Sequence, residues 1–285
     1  MAASYSIDEQ VITCGKRLIS FLRKGKGPPL ILLHGIGSSA ASWQAQLDGL
    51  SDHYDVIAWN APGYSQSTPL EDAAPATVAY ADALAQLLEQ LNIDKCFLAG
   101  HSLGSLIAAS FVRMHSHRTI AVTLASCALG HGTFPSGERQ RLLDSRLTDV
   151  RELGMVGMAE KRGPRLLTSD APEEMVRTVI SNMAQAHPGG YAQAARMLSS
   201  GDMLADLAQT DPALPIQVVY GQQDVITPPR ANQRAAQARK GISSVAIPAA
   251  GHLVYVEQAA AFNTAVLAFN ILHGGVFNQE RTSHG

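Results

Sequence analysis

The chain reads as an α/β protein: a mostly parallel sheet with helices on both faces, interrupted by an inserted helical cap. Three observations predict it. Short apolar runs alternate with stretches of helical periodicity, the pattern of strands joined by crossover helices. Several runs, Leu30–Leu33 and Ile120–Leu124 among them, are almost continuously apolar, as strands covered on both faces are. From Gly130 to about Thr210 the strand pattern stops and only helical stretches remain.

Arg17–Leu22 reads as a strand and Gly25–Pro29 as turn material. Pro29–Leu33 is an apolar strand ending at His34-Gly35. Ala41–Leu50 is helical, and Tyr54–Trp59 is a strand stopped by Pro62-Gly63. Thr77–Leu91 repeats Tyr80, Leu84, Leu87, Leu88 and Leu91 at helix spacing. Lys95–Ala99 is a strand, Ser102–His115 an apolar helix, and Thr119–Ala125 a further strand. Such alternation argues for right-handed crossovers. The cap carries helices near Glu138–Leu147, Val150–Glu160, Pro172–Ala186 and Tyr191–Ala208, punctuated by Pro164, Pro172 and Pro188-Gly189-Gly190. Ile216–Tyr220, a helix at about Arg230–Ala238, the strand Ser244–Ile247 and a helix from about Gln258 to His273 restore the alternation. The expected division is a core of residues 1–128 and 211–273, a cap of 129–210, and a loose tail of 274–285 with little to bury.

Composition narrows the functional class. Charged residues make up 16% of the 285 and the net charge is −2, with no basic stripe for nucleic acid. A small-molecule substrate fits this balance; a homo-oligomer is left open. Cys14, Cys96 and Cys127 are too few and odd for a disulfide framework, and Cys96 and Cys127 read as buried thiols. Met1–Gln10 carries Asp8 and Glu9 and lacks a basic region followed by an apolar run, so no secretory signal is expected. No stretch of 18 apolar residues suggests a membrane span, and a cytoplasmic location is the default. No cofactor is expected. No metal is expected either, since nothing matches His-Glu-x-x-His spacing.

The chemistry starts at Gly100-His101-Ser102-Leu103-Gly104, a Gly-x-Ser-x-Gly match between the strand Lys95–Ala99 and the helix from Ser102. A nucleophile elbow needs that strand–turn–helix context. A serine there projects above the sheet at a helix N-terminus, whose dipole favours developing negative charge. A capping serine in an ordinary turn is the plainer reading of the motif alone. A serine hydroxyl needs a base. Among ten histidines, His53, His115 and His117 sit near element ends and His284 in the tail. His252, in Pro248-Ala249-Ala250-Gly251-His252, directly follows a strand, where open α/β sheets place their sites. Asp224, in Gly221-Gln222-Gln223-Asp224, follows the strand Ile216–Tyr220 and can orient the His252 ring. Oxyanion donors are assigned to the backbone N–H groups of Leu103 and of Ile36, in His34-Gly35-Ile36-Gly37-Ser38; losing one such donor costs roughly 3 kcal/mol of barrier.

These residues resemble the α/β-hydrolase superfamily over about residues 15–273. The matching motifs are His34-Gly35-Ile36-Gly37, Asn60-Ala61-Pro62-Gly63-Tyr64, the elbow at Gly100–Gly104, Gly221–Asp224 and Gly251-His252. The chain order Ser102, Asp224, His252 is that family's order. The resemblance implies an eight-stranded type of sheet, and a cap that can exclude water and shape the pocket. Ser102 argues against the haloalkane dehalogenases and epoxide hydrolases of this fold, whose nucleophile is Asp. Carbon–carbon hydrolases acting on meta-ring-fission products usually carry Asn before the nucleophile, where this chain has His101. Enol-lactone hydrolases and small carboxylesterases are the nearest look-alikes, with Ser105 and Ser65 as small departures from their usual residues.

The expectation is a serine hydrolase that cleaves a carboxylic ester or lactone through an acyl-enzyme on Ser102. The alternative reaction is carbon–carbon hydrolysis of ring-fission products of aromatic catabolism; a hydrolase-fold ligand receptor is a third reading. Trp43, His101 and Val254 are the candidate substrate contacts. In the cap, Met155, Met158, Met175, Met183 and Met197 suit core packing more than a pocket. Arg139, Arg141, Arg146 and Arg165 can hold a carboxylate, although a solvated helix face is the plainer reading.

Overall fold

A computed structural model describes residues 7–274 of the chain. The expected loose tail lies, apart from Gly274, outside the described residues. Eight strands form one sheet in the order β1-β2-β4-β3-β5-β6-β7-β8. These are β1 (Gln10–Cys14), β2 (Arg17–Lys24), β3 (Pro29–Leu33), β4 (Asp55–Trp59), β5 (Cys96–His101), β6 (Thr119–Ala125), β7 (Ile216–Gly221) and β8 (Ser243–Ile247). β1–β2 and β2–β4 pair antiparallel and every other pair is parallel. The sequence pattern does not predict β1. It lies at the sheet edge, half exposed, so its apolar signal is weak. Its two-residue hairpin to β2 uses Gly15 at φ 61°, a conformation glycine adopts without strain.

Strand geometry sends alternate side chains to opposite faces, and the buried core divides accordingly. Ile31 and Leu33 pack with Tyr80, Leu84 and Leu88 of α2 (Thr77–Gln90) and with Leu106 and Phe111 of α3 (Leu103–Met114). Leu30 and Leu32 face the other way, onto Leu47 and Leu50 of α1 (Gln44–Leu50) and Phe262 and Val266 of α10 (Ala259–His273). This is why β3 is apolar at all positions rather than alternating. No helix among the described residues is long and apolar enough to cross a membrane.

Between β6 and β7 the chain forms α4 (Ser136–Arg162), α5 (Glu173–Ala184), α6 (Pro188–Ser200) and α7 (Met203–Ala208). The break in α4 falls at Gly154 (φ 66°, ψ −178°), beyond the gap at 148–149 that the sequence suggests. A straight helix would set Asp149 and Lys161 about 18 Å apart. Asp149 instead binds Lys161 at 2.6 Å and Arg162 Nε at 2.7 Å, so the chain folds back on itself at Gly154. The single helix expected over Tyr191–Ala208 is two. Gly201 leaves the helix in an extended conformation (φ −71°, ψ 153°), and Asp202 caps α7 by accepting the Ala205 N–H. After β7 come α8 (Pro229–Gln237) and a four-residue helix, α9 (Val254–Glu257), unnoticed in the sequence.

Candidate active site

Every predicted catalytic element sits at the carboxyl ends of the parallel strands. β5 ends at His101, and the chain turns through Ser102 into α3. Ser102 has φ 51° and ψ −113°, a conformation rare for a residue with a Cβ. The turn is held by the Ser102 N–H, which donates to Ala125 O at 2.8 Å, and by the Ser105 hydroxyl, which donates to Ser102 O at 2.6 Å. The flanking glycines are there for backbone approach. A Cβ on Gly100 would meet Gly104 O at 2.3 Å, and one on Gly104 would meet Leu33 O at 2.1 Å. The turn from β5 into α3 therefore requires Gly100, and the crossing of α3 over β3 requires Gly104.

Asp224 and His252 meet directly: His252 Nδ1 lies 2.9 Å from Asp224 Oδ2. The carboxylate accepts three further bonds. Its Oδ1 takes the N–H groups of Ile226 (2.8 Å) and Thr227 (2.9 Å), and its Oδ2 takes the Thr227 hydroxyl (2.8 Å). Burial opposes its ionisation, but the charge and hydrogen bond of His252 and the two Thr227 donors together hold it below the usual carboxylate range. The Nδ1–H also reaches Thr227 Oγ1 at 3.2 Å. Asp224 thus holds the proton on Nδ1 and leaves Nε2 as the basic nitrogen.

Ser102 and His252 line one cavity of about 480 Å³. The Ser102 hydroxyl makes no hydrogen bond to His252 in this structure; such pairs commonly tighten only around a substrate. Ile36 lines the same cavity. Neither its N–H nor that of Leu103 is engaged among the described residues, and the first N–H groups of a helix have no partner within it. Gly35 brings the two loops together: a Cβ there would stand 2.9 Å from His101 Nδ1 and 3.2 Å from Ser102 Cβ. His34 braces the loop. Its Nδ1–H donates to Gly35 O at 2.8 Å and its Nε2 accepts the Ala61 N–H at 3.0 Å. Burial pushes that ring down to about 4, so it is neutral.

The three candidate substrate contacts divide. His101 does line the cavity. Its Nε2–H donates to the His252 carbonyl at 2.9 Å, which leaves Nδ1 buried without a partner. Burial, then the neighbouring His252, push it down to about 3, so it serves as a neutral strut beside His252. Trp43 and Val254 are corrections. Trp43 is fully buried and stacks on Tyr255 at 4.0 Å, within the α10 face of the core. Val254 is buried in that same cluster, while Leu253, Tyr255 and Val256 around it reach the cavity. Each sits on the core side of a short helical turn whose other side faces the pocket. Of the cap methionines, Met175 and Met183 line the cavity, whereas Met158 and Met197 are core.

Two supporting residues escaped sequence reasoning. Glu257 Oε2 accepts the Gly251 N–H (2.8 Å) and its Oε1 accepts the Thr168 N–H (2.7 Å), tying the His252 loop to the helical segment between β6 and β7. Asn232 accepts the Cys127 N–H and donates to Thr227 O, bracing the acid loop. Neither belongs to a motif. The Thr227-Pro228-Pro229 turn behind Asp224 was the one local signal of such support.

Fold and site together define an α/β hydrolase. The family model for the alpha/beta hydrolase fold matches residues 28–259, and the chain belongs to that family. It is 28% identical over 258 residues to the (E)-2-((N-methylformamido)methylene)succinate hydrolase of Acinetobacter baylyi, covering 89% of this chain and 94% of that one. It is 27% identical over 245 residues to 3-oxoadipate enol-lactonase 2 of the same species (85% and 88%). A thermophilic esterase from Thermogutta terrifontis, solved with malate bound, superposes with a TM-score of 0.83 at 27% identity, covering 93% and 99%. The protein is a hydrolase.

Proposed function

We propose that the protein is a serine hydrolase that cleaves a carboxylic ester or lactone of a small molecule through an acyl-enzyme on Ser102, with the helical segment 129–210 as its cap. The observation that carries this is the strained Ser102 elbow opening into the cavity that also holds His252, itself bound to Asp224. His252 Nε2 takes the Ser102 proton as Oγ attacks the carbonyl carbon. The oxyanion rests on the N–H groups of Ile36 and Leu103. His252 then gives its proton to the leaving alkoxide or enolate, which departs as the carbonyl re-forms. Water, deprotonated by the same ring, attacks the acyl-enzyme and releases the acid. Asp224 stays ionised throughout and stabilises the transient imidazolium.

Support comes from chemistry that needs no group beyond these side chains and two amides. The test is a fluorophosphonate label, expected on Ser102 and lost in Ser102→Ala and His252→Ala. A panel of p-nitrophenyl esters, lactones and dienol ring-fission products then separates acyl transfer from carbon–carbon cleavage. Near-normal ester and lactone turnover by Ser102→Ala sinks the reading, and turnover slower than ligand dissociation would favour a receptor.

A further inference from the structure

The charged lining of the cavity is one-sided. Arg146, Arg162, Arg165 and Arg234 reach it, against a single aspartate, Asp202. Arg162 is already held by Asp149, and Arg165 and Arg234 are exposed. Asp202 is engaged at the start of α7. Arg146 differs from all of these. It is half-buried on α4, and no carboxylate pairs with it among the described residues. Its one side-chain bond runs from Nη1 to the Tyr191 hydroxyl at 3.5 Å.

Neither Tyr64 nor His131 beside it supplies negative charge. The Tyr64 hydroxyl accepts the Gly37 N–H, and burial raises its pKa far above the ordinary phenol range. His131, also in the lining, is held below the usual imidazole range by burial and then by the charge of Arg146 itself. A half-buried guanidinium has lost part of its hydration and gains most from a ligand that returns it as charge-assisted hydrogen bonds. The position suits an acyl substrate. The Tyr191 ring lies 3.4 Å from where a Gly37 Cβ would stand, so Arg146 is one side chain removed from the Ile36 loop.

We propose that Arg146 anchors a carboxylate carried by the substrate, so that the ester or lactone cleaved is anionic and its hydrolysis releases a dicarboxylate. This deepens the Ser102 reading and rests on it for the reaction. The planar fork of arginine can grip a carboxylate through two parallel bonds, which sets the distance between that group and the scissile carbonyl.

Two measurements test it. The first compares p-nitrophenyl hydrogen glutarate with its neutral methyl ester. The native protein is expected to prefer the anion, and Arg146→Gln to lower the anionic-to-neutral ratio of kcat/KM by roughly fiftyfold, with Arg146→Lys intermediate. An unchanged ratio in Arg146→Gln overturns the proposal. The second needs no catalysis. In the Ser102→Ala protein, monomethyl glutarate should bind by ligand-observed NMR more tightly than dimethyl glutarate, and adding Arg146→Gln should weaken it at least tenfold. Equal binding with and without Arg146 overturns the anchor even if Ser102 is the nucleophile. Failure of fluorophosphonate to label Ser102, with this binding intact, sinks the reaction and leaves the anchor standing. Thermal melting of each variant distinguishes an unfolded protein from a lost contact.

Discussion

Asp224→Asn separates an orienting role from mere packing, because the change preserves shape and inverts the hydrogen bonds at one oxygen. In the native site Oδ1 receives two backbone N–H groups and Oδ2 receives the Thr227 hydroxyl and the His252 Nδ1–H. Asparagine keeps the two backbone donors only if its oxygen occupies the Oδ1 position. Its NH₂ then faces His252 Nδ1, which must accept. The ring proton moves to Nε2, and no base remains for Ser102. The expected loss in kcat is about 10⁴-fold, roughly 5 kcal/mol of barrier, as for the same tautomer switch in other serine triads. The assay is p-nitrophenyl acetate turnover near neutral pH, beside fluorophosphonate labelling. Stability supplies a second signature. The folded carboxyl is depressed, so its contribution is present above the unfolded carboxylate range and is lost as pH falls through the folded value. The gap in Tm between native protein and Asp224→Asn should therefore be widest at neutral pH and shrink below about pH 4. A loss of less than tenfold in kcat, with the fold intact, would mean that another group orients His252.

Three further perturbations bear on the same framework. Thr227→Val keeps the shape of the side chain but removes a donor to Asp224 and a partner of His252 Nδ1; kcat should fall about tenfold with KM little changed, a loss of one charge-assisted bond. Glu257→Gln can satisfy only one of the two N–H groups the carboxylate now accepts, at a cost of about 1.5–3 kcal/mol. Amide exchange at Gly251 or Thr168 should accelerate accordingly, and unchanged protection at both would refute the tie. Gly154→Ala forces a side chain into a backbone region almost exclusive to glycine, costing about 1–3 kcal/mol, so Tm should drop by several degrees. Open space around Gly154 means that no clash contributes, and an unshifted Tm would show that the hinge tolerates another conformation.

What was legible in the sequence follows from where each signal is local. Ser102, Asp224 and His252 each lie within a few residues of a strand end, and the turn chemistry that presents them is written in the same short stretch. Gly100 and Gly104 are dictated by backbone approaches of 2.3 and 2.1 Å, which leave no alternative residue, and Gly35 by the close approach of the His101 ring. Parallel strands buried on both faces announce themselves as apolar runs, as in β3, β4 and β6. β1 shows the converse, since a half-exposed edge strand has little apolar pattern to read. The second ring of support was invisible for a related reason. Glu257 acts on Thr168, 89 residues away, and His101 on the carbonyl of a residue 151 positions later.

Pocket lining was the hardest to read, because it depends on which side of a helix ends up facing the void. Trp43 and its neighbours Ser42 and Gln44 are adjacent in sequence, yet only the neighbours reach the cavity. The cap arginines make the same point over a longer range. Arg139 and Arg146 are seven residues apart, two turns along one stripe of α4, and sequence alone treats them alike. Two turns of helix span roughly 10 Å, enough to carry Arg139 clear of the cavity that Arg146 lines. Arg146 lies three residues before Asp149, which Lys161 and Arg162 fasten across the fold-back at Gly154. If Arg146 anchors the substrate's carboxylate as proposed, substrate choice is coupled to the Gly154 hinge and the Asp149 ion-pair clasp. A change at Gly154 or Asp149 should alter the anionic preference before it alters the chemistry at Ser102.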